Sequence, residues 1–496
     1  MGQNRYDVVI RDATIVDGTG TPGHTGDVAI LDDRIAVVGR VAPEEALTVL
    51  DANGLTLSPG FIDVHAHDDF AVFLYAEMAC KVLQGVTTTI VGNCGFGAAP
   101  FPAAGLFQRA FHPGEEVEPW DGYRGYFERL DSDPPSLNVG ALVGHGTLRL
   151  TAMGNAARPP SDGELERMGA DLDEGLEAGA LGLSSGLVYE PGRYATTSEL
   201  VTLSSRMQGT GALYATHMRD EGGGLLDSVS EAIEIGERAG VPVQISHHKA
   251  SGRRNWGRVR ESLGLIETAR ARGVDVTADQ YPYTAASTIL AAIVQNDALG
   301  DGGRMGSLEP HEVVIASTPT HPEWEGSSLE ELARRFGVEA PEAARRVLDA
   351  EGSATVVLHL MDEQDVQTVL RHPSTMIGSD GLPTLRGRPH PRLYGTFPRV
   401  LGRYVRELGV FSLEQAVHRM TGLPAAKFGL RDRGTVREGA FADLVLFDPG
   451  TIEDLATYDD PHRSPRGIAR VFVNGAQVAC DGEHTGARPG RALRRL

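Results

Sequence analysis

The chain has 496 residues, with 67 acidic against 46 basic side chains and a formal charge of -21, which argues against a nucleic-acid partner because phosphate binding needs clustered lysine and arginine. Three cysteines, an odd number in so long a chain, argue against a disulfide framework and fit a reducing, cytoplasmic setting. No stretch approaches ~18 uninterrupted apolar residues, and Met1 to Arg11 lacks the charged start and apolar run of a secretory leader, so a soluble, cytoplasmic protein is expected.

Residues 6 to 58 read as short strands punctuated by Asp17-Gly18, Asp32-Asp33 and Asn53-Gly54, a small antiparallel unit. Within them Gly18-x-Gly20-x-x-Gly23 matches a dinucleotide fingerprint, but Pro22 interrupts it and a strand pattern follows where a helix is required, so no nucleotide site is read there. From 60 to about 430, apolar strand-like runs alternate with amphipathic stretches such as Asp162 to Ala178, Gly224 to Ala239 and Trp256 to Arg272. The clearest strands are Thr87 to Val91, Leu137 to Val143, Leu181 to Leu183, Leu213 to Ala215, Val243 to Ser246, Val274 to Ala278, Thr355 to Leu358 and Met376 to Ile377. Alternation of this kind predicts a parallel sheet closed into an eight-stranded (β/α)8 barrel.

The stretch from about 284 to 351 breaks the rhythm with a helix-like pattern of its own and reads as an insertion over the active face. After 430 the β character returns in Ala442 to Phe447 and Arg470 to Gly475. The expected fold is therefore α/β: a barrel over 59–430, carrying the insertion, with a β-sandwich built from 1–58 and 431–496.

The chemistry begins at Phe61-Ile62-Asp63-Val64-His65-Ala66-His67. On an extended chain residues i and i+2 share a face, so His65 and His67 can present two imidazoles to one ion. Other strand-like runs end in metal-binding residues: Val91-Gly92-Asn93 leads to Cys94, Ala215-Thr216 to His217, Ile245-Ser246 to His247 and Gly378-Ser379 to Asp380. In a parallel barrel all strand C-termini lie on one face, which brings these distant residues together. His, Cys and Asp are a zinc ligand set, and a soft thiolate favours zinc over magnesium or calcium. Strand alternation selects His247 over its neighbour His248. Lys249, one of only three lysines, follows two places later and could bind an anionic group. Gly182-x-Ser184-x-Gly186 matches a serine-hydrolase elbow, but a loop follows where that elbow needs a helix.

These stretches resemble the metal-dependent amidohydrolase superfamily and, within it, the D-aminoacylases (N-acyl-D-amino-acid deacylases). The resemblance is carried by Pro59 to His67, Gly92-Asn93-Cys94-Gly95-Phe96, Thr216-His217-Met218-Arg219, Ser246-His247-His248-Lys249, Asp279-Gln280-Tyr281-Pro282-Tyr283, Ser379-Asp380-Gly381-Leu382-Pro383 and the closing Gly439 to Asp448. Many superfamily members bridge two metals with a carboxylated lysine, yet Ala178 to Pro191 contains none. The resemblance gives the bridging place to Cys94, a tight zinc to Cys94, His217 and His247, and a second, weaker position to His65, His67 and Asp380, one zinc sufficing for activity. It also implies a metal-dependent hydrolase of linear amides in which Lys249, Tyr283, Ser287 and Arg392 hold the substrate carboxylate and Asp380 carries the proton. Tyr189 and the insertion are expected to contribute to the pocket. The alternative reading is a cyclic-amide hydrolase of the dihydroorotase or hydantoinase type.

Overall fold

A computed structural model describes residues 5–299 and 305–495, so 300–304 of the expected insertion lie outside the described residues. At its centre are eight parallel strands: β1 (Phe61–Asp63), β2 (Val86–Val91), β3 (Asn138–Ala141, resuming as Val143–Gly144), β4 (Gly182–Gly186), β5 (Leu213–His217), β6 (Val243–Ile245), β7 (Val276–Gln280) and β8 (Thr375–Ile377). Neighbours in the sequence are neighbours in the barrel. The ring closes where Ala66 bridges Gly381 and the Asp380 N–H donates to the His65 carbonyl at 2.7 Å. Both faces of these strands are buried, which is why they read as unbroken runs of apolar and small residues.

The outer helices follow their sequence signals. Asp162–Ala178 opens with a Ser161/Glu164 capping box and stops at Gly179, whose φ of 111° lies in the left-handed region. Leu225–Ala239 and Val259–Ala271 lie within a residue or so of the stretches expected at their C-terminal ends.

One expected barrel strand belongs elsewhere. Thr355–His359 pairs antiparallel with both Ala285–Ile289 and Val313–Ser317, forming the sheet of the insertion. A short apolar run buried on both faces has the same composition in either setting, so the pattern alone could not separate them. The insertion therefore extends beyond 351 to take in this strand. Its core, including Ile293, Ile315, Leu332 and Val356, is continuous with Phe96 and Tyr189 at the barrel mouth.

Both chain ends meet in a nine-stranded sheet, joined where Thr56–Pro59 pairs antiparallel with Leu444–Phe447. It encloses Ile10, Ile30, Ile35, Leu57, Leu444 and Phe472. Beyond that sheet, Ala492–Leu493 adds a short parallel strand to β3, tying the tail to the barrel. The glycine-rich Gly18 to Gly23 stretch is the loop of the hairpin between Tyr6–Ile15 and His24–Leu31. Among the described residues no helix is long and apolar enough to cross a membrane.

Candidate metal centre

The six candidate ligands converge at the C-terminal mouth of the barrel, all buried, from His65 at 0% exposed to Asp380 at 7%. Cys94 Sγ lies 3.3 Å from His65 Nε2 and 3.7 Å from both His217 Nδ1 and His247 Nε2. Asp380 Oδ1 lies 3.4 Å from His65 Nε2 and 3.2 Å from His67 Nε2. Three triads have mutually close donor atoms, all within 4.8 Å: His65, His67 and Cys94; Cys94, His217 and His247; His65, His247 and Asp380. Cys94 is shared by two of them.

Local backbone geometry aims these donors. Cys94, His247 and Asp380 all have positive φ, at 54°, 34° and 50°, a region that side-chain-bearing residues rarely occupy and that concentrates at functional sites. The turn carrying Cys94 depends on its glycines: a Cβ on Gly92 would meet the Leu142 carbonyl at 2.1 Å, and one on Gly186 would meet the Cys94 carbonyl at 2.1 Å. His247 is fixed by its N–H, which donates to Asp279 Oδ1 at 2.7 Å, while Gln244 Nε2 donates to the other oxygen of that carboxylate at 2.7 Å. Asp279 also stands 3.2 Å from His65 Nδ1. His248 points its Nε2 at Ser262 Oγ, 2.8 Å away, and so is held outside the cluster; β6 ends at Ile245 and His247 has a positive φ, so the turn and not strand alternation separates the two histidines.

Below the centre, Lys81 is wholly buried, with Nζ 2.6 Å from Asp63 Oδ2, 2.9 Å from Ser379 Oγ and 3.3 Å from Asp68 Oδ2. The Ser379 N–H donates to Asp63 Oδ1 at 2.8 Å. This clamp ties the end of β1 to the loop after β8, and therefore His65 to Asp380.

The electrostatics suit a cation. Burial by itself would raise the Cys94 thiol, but His65 together with hydrogen bonding between Cys94 and both His217 and His247 brings it well below its ordinary value, leaving a thiolate. Burial likewise opposes ionisation of Asp380, yet Arg392, His65 and His247 hold it well below the carboxylate range. Glu221, buried beside the histidines, is held low by Lys249, His217 and His247 against the same burial penalty. A compact set of imidazole nitrogens, one thiolate and one carboxylate has the donor chemistry of a zinc site, and the outward nitrogens face Asp279 and Glu221.

The residues expected to hold substrate divide. Arg392 Nη2 pairs with Asp380 Oδ2 at 2.9 Å and donates to the Ser287 carbonyl at 3.1 Å, whereas its buried Nε and Nη1 have no hydrogen-bond partner among the described residues. Ser287 thus meets Arg392 through its main chain, on the insertion strand Ala285–Ile289. Lys249 Nζ is engaged by Glu221 Oε1 at 2.6 Å. The ring of Tyr189 lies 4.9 Å from that of His217, and its hydroxyl meets Thr288 Oγ1 at 3.0 Å. Tyr283 is placed differently: its hydroxyl faces Asp454 Oδ2 at 3.5 Å and its ring lies under Arg399 at 4.6 Å. The chain turns through Pro282, with the Tyr283 N–H donating to the Tyr281 carbonyl at 3.0 Å, so the two tyrosines enter different surroundings. Tyr281 is the one beside Arg392, its ring 4.6 Å from the guanidinium carbon and its buried hydroxyl without a partner among the described residues.

Sequence reasoning missed Glu221, Asp279, Tyr281 and the Lys81 clamp. Asp279 sits at the end of β7 and obeys the same strand-end rule as the ligands, so that rule could have found it. The serine-elbow match is excluded as a nucleophile site, because Gly182–Gly186 is β4 itself and the buried Ser184 hydroxyl donates to the Gly92 carbonyl.

The profile described as Amidohydrolase family matches residues 48–264 and 259–479. The chain belongs to that family. This amidohydrolase is 42% identical to a D-aminoacylase of Alcaligenes xylosoxydans xylosoxydans, over 99% of this chain and 98% of the relative. It is also 42% identical to an N-acyl-D-glutamate deacylase of the same organism, over 99% of this chain and 97% of the relative. Among solved structures it is similar to an N-acyl-D-glutamate deacylase from Bordetella bronchiseptica, complexed with zinc and a phosphonate inhibitor that mimics the tetrahedral intermediate. That match has a TM-score of 0.89 at 41% identity and covers 99% of this chain and 100% of the other. Full-length identity of this order sets the chain with the D-aminoacylases inside the amidohydrolase family.

Proposed function

We propose that this amidohydrolase is a zinc-dependent N-acyl-D-amino-acid deacylase, hydrolysing a linear amide to a carboxylate and a free D-amino acid. The observation that carries the reading is the buried donor set with one thiolate shared between two triads, at the mouth of a barrel whose full-length relatives are named for this activity. Cys94, His217 and His247 would hold the tight zinc, and His65, His67 and Asp380 would border a second, weaker position that shares Cys94. When bound, zinc supplies Lewis acidity, bringing the pKa of water from 15.7 to about 7 and polarising a carbonyl.

The chain's own groups supply the rest. Asp380, ionised at neutral pH, takes a proton from the attacking water on Oδ1 and delivers it to the leaving nitrogen. Arg392 fixes the other oxygen, which keeps Oδ1 aimed at the ligand cluster. The unpartnered Nε and Nη1 of Arg392 and the free hydroxyl of Tyr281 are donors for the substrate carboxylate, and Lys249 adds positive charge nearby. Phe96 and Tyr189, packed 5.0 Å apart, help to exclude water from the mouth. Three free cysteines accord with a reducing, cytoplasmic setting.

The cyclic-amide alternative is less favoured, because donors free for an open-chain carboxylate are present and no lysine occupies Ala178 to Pro191. The deciding experiment supplies zinc-loaded protein with N-acetyl-D-methionine, N-acetyl-L-methionine and dihydrouracil, each with a chelated control. Zinc-dependent release from the D-amide alone is expected. Turnover of dihydrouracil with neither amide cleaved would replace the reading with the cyclic one.

A further inference from the structure

We infer that Glu221 is a positioning residue, one carboxylate that orients both His217 and His247 toward a shared ion. The inference rests on the zinc reading above. Glu221 is 4% exposed and lies in the loop after β5, four residues beyond His217. Its Oε1 stands 3.0 Å from His247 Nδ1, and its Oε2 stands 3.8 Å from His217 Nε2. The nitrogens that face Cys94 Sγ are the opposite ones, His247 Nε2 and His217 Nδ1, each at 3.7 Å. The two imidazoles therefore point inward through different ring atoms, and a single side chain stands behind both.

The proton arrangement follows. An imidazole that offers one nitrogen's lone pair to a metal carries its proton on the other nitrogen, and a carboxylate behind that N–H selects the tautomer and the ring orientation. His247 Nδ1 also lies 2.7 Å from Lys249 Nζ, itself 2.6 Å from Glu221 Oε1. Two N–H donors can converge on one carboxylate oxygen, whereas an ammonium donating to Nδ1 would force the proton onto Nε2, the atom that must face the ion. Glu221 resolves that competition by accepting from both. His217 Nε2 is buried and makes no hydrogen bond among the described residues; Glu221 Oε2, 3.8 Å away, is beyond hydrogen-bond length and acts on it as a nearby negative charge.

The test is the zinc dissociation constant of Glu221→Gln, measured by competition with a chromophoric chelator, beside the unfolding temperature of the zinc-free protein. The amide preserves shape but removes the charge and one acceptor. Zinc affinity, measured well below the unfolding transition, is expected to fall by about 10–100-fold, the usual cost of losing such a partner, and the zinc-free unfolding temperature to fall as well, because the buried Lys249 ammonium loses its carboxylate. Wild-type affinity in folded Glu221→Gln overturns the inference while leaving the zinc reading intact. Should the glutamine variant not fold, Glu221→Asp takes its place; its shorter arm cannot serve both rings, so it too must bind zinc more weakly, and undiminished affinity overturns the inference. A wild-type protein that binds no zinc overturns both.

Discussion

At the scale of single residues, the site works by setting neighbouring groups against one another. Asp380 has one oxygen directed at His65 and His67 and the other taken by Arg392, so its charge is maintained in a place where burial would otherwise neutralise it. A carboxylate that stays ionised can accept a proton, and an amide of the same shape cannot. Asp380→Asn is expected to retain zinc at the Cys94 triad and lose about 10²–10⁴-fold in kcat, the range for a positioned acid–base group. Metal content and turnover measured on the same preparation check this, and near-normal kcat would remove Asp380 from the proton-carrying role.

At the scale of elements, the question is what keeps the end of β1 registered against the loop after β8, since His65 rides on one and Asp380 on the other. The Lys81 clamp does so from the short helix Ala79–Val82 that precedes β2. Lys81 and the two carboxylates beside it are wholly buried, so removing the ammonium leaves charge with no solvent to take it up. Lys81→Met is expected to cost about 3–5 kcal/mol, the penalty for breaking a buried pair from one side, and to lower kcat by loosening Asp380. A urea midpoint and a kcat both within error of the wild type would show that the clamp carries neither load.

Element order was legible because a parallel barrel hides both faces of every strand, leaving apolar runs between amphipathic helices, and because metal donors recur at strand ends. The ambiguity of that signal is what misplaced Thr355–His359. Side-chain destinations beyond a turn were not legible: nothing local distinguishes Tyr281 from Tyr283 across Pro282, or marks Glu221 as the group behind two imidazoles. Those depend on what the rest of the chain brings alongside.

At the scale of the whole molecule, the centre lies where the barrel mouth meets the insertion, and the contact is made through site residues. Tyr189 joins Thr288, and Arg392 joins the Ser287 carbonyl. The wall next to His67 and His217 is aromatic: Phe96 packs against Phe107 at 4.7 Å, Phe111 at 5.5 Å and Tyr189 at 5.0 Å, and Phe111 lies 5.8 Å from the His67 ring. An apolar substrate side chain laid on these rings gives up ordered water and gains dispersion contacts. A second carboxylate there would lose hydration with no opposing charge among those four side chains, a cost of several kcal/mol for an unpaired ion. The relatives include both a D-aminoacylase and an N-acyl-D-glutamate deacylase, so the family alone leaves the choice between them undecided. The wall argues for apolar D-amino acids: kcat/KM for N-acetyl-D-methionine or N-acetyl-D-leucine is expected to exceed that for N-acetyl-D-glutamate by at least ~10-fold, a modest share of that desolvation cost. Phe111→Arg should narrow the gap by supplying the missing cation. Preference for D-glutamate in the unmodified protein would mean that the substrate side chain lies away from this wall, against the cationic groups Lys249 and Arg392.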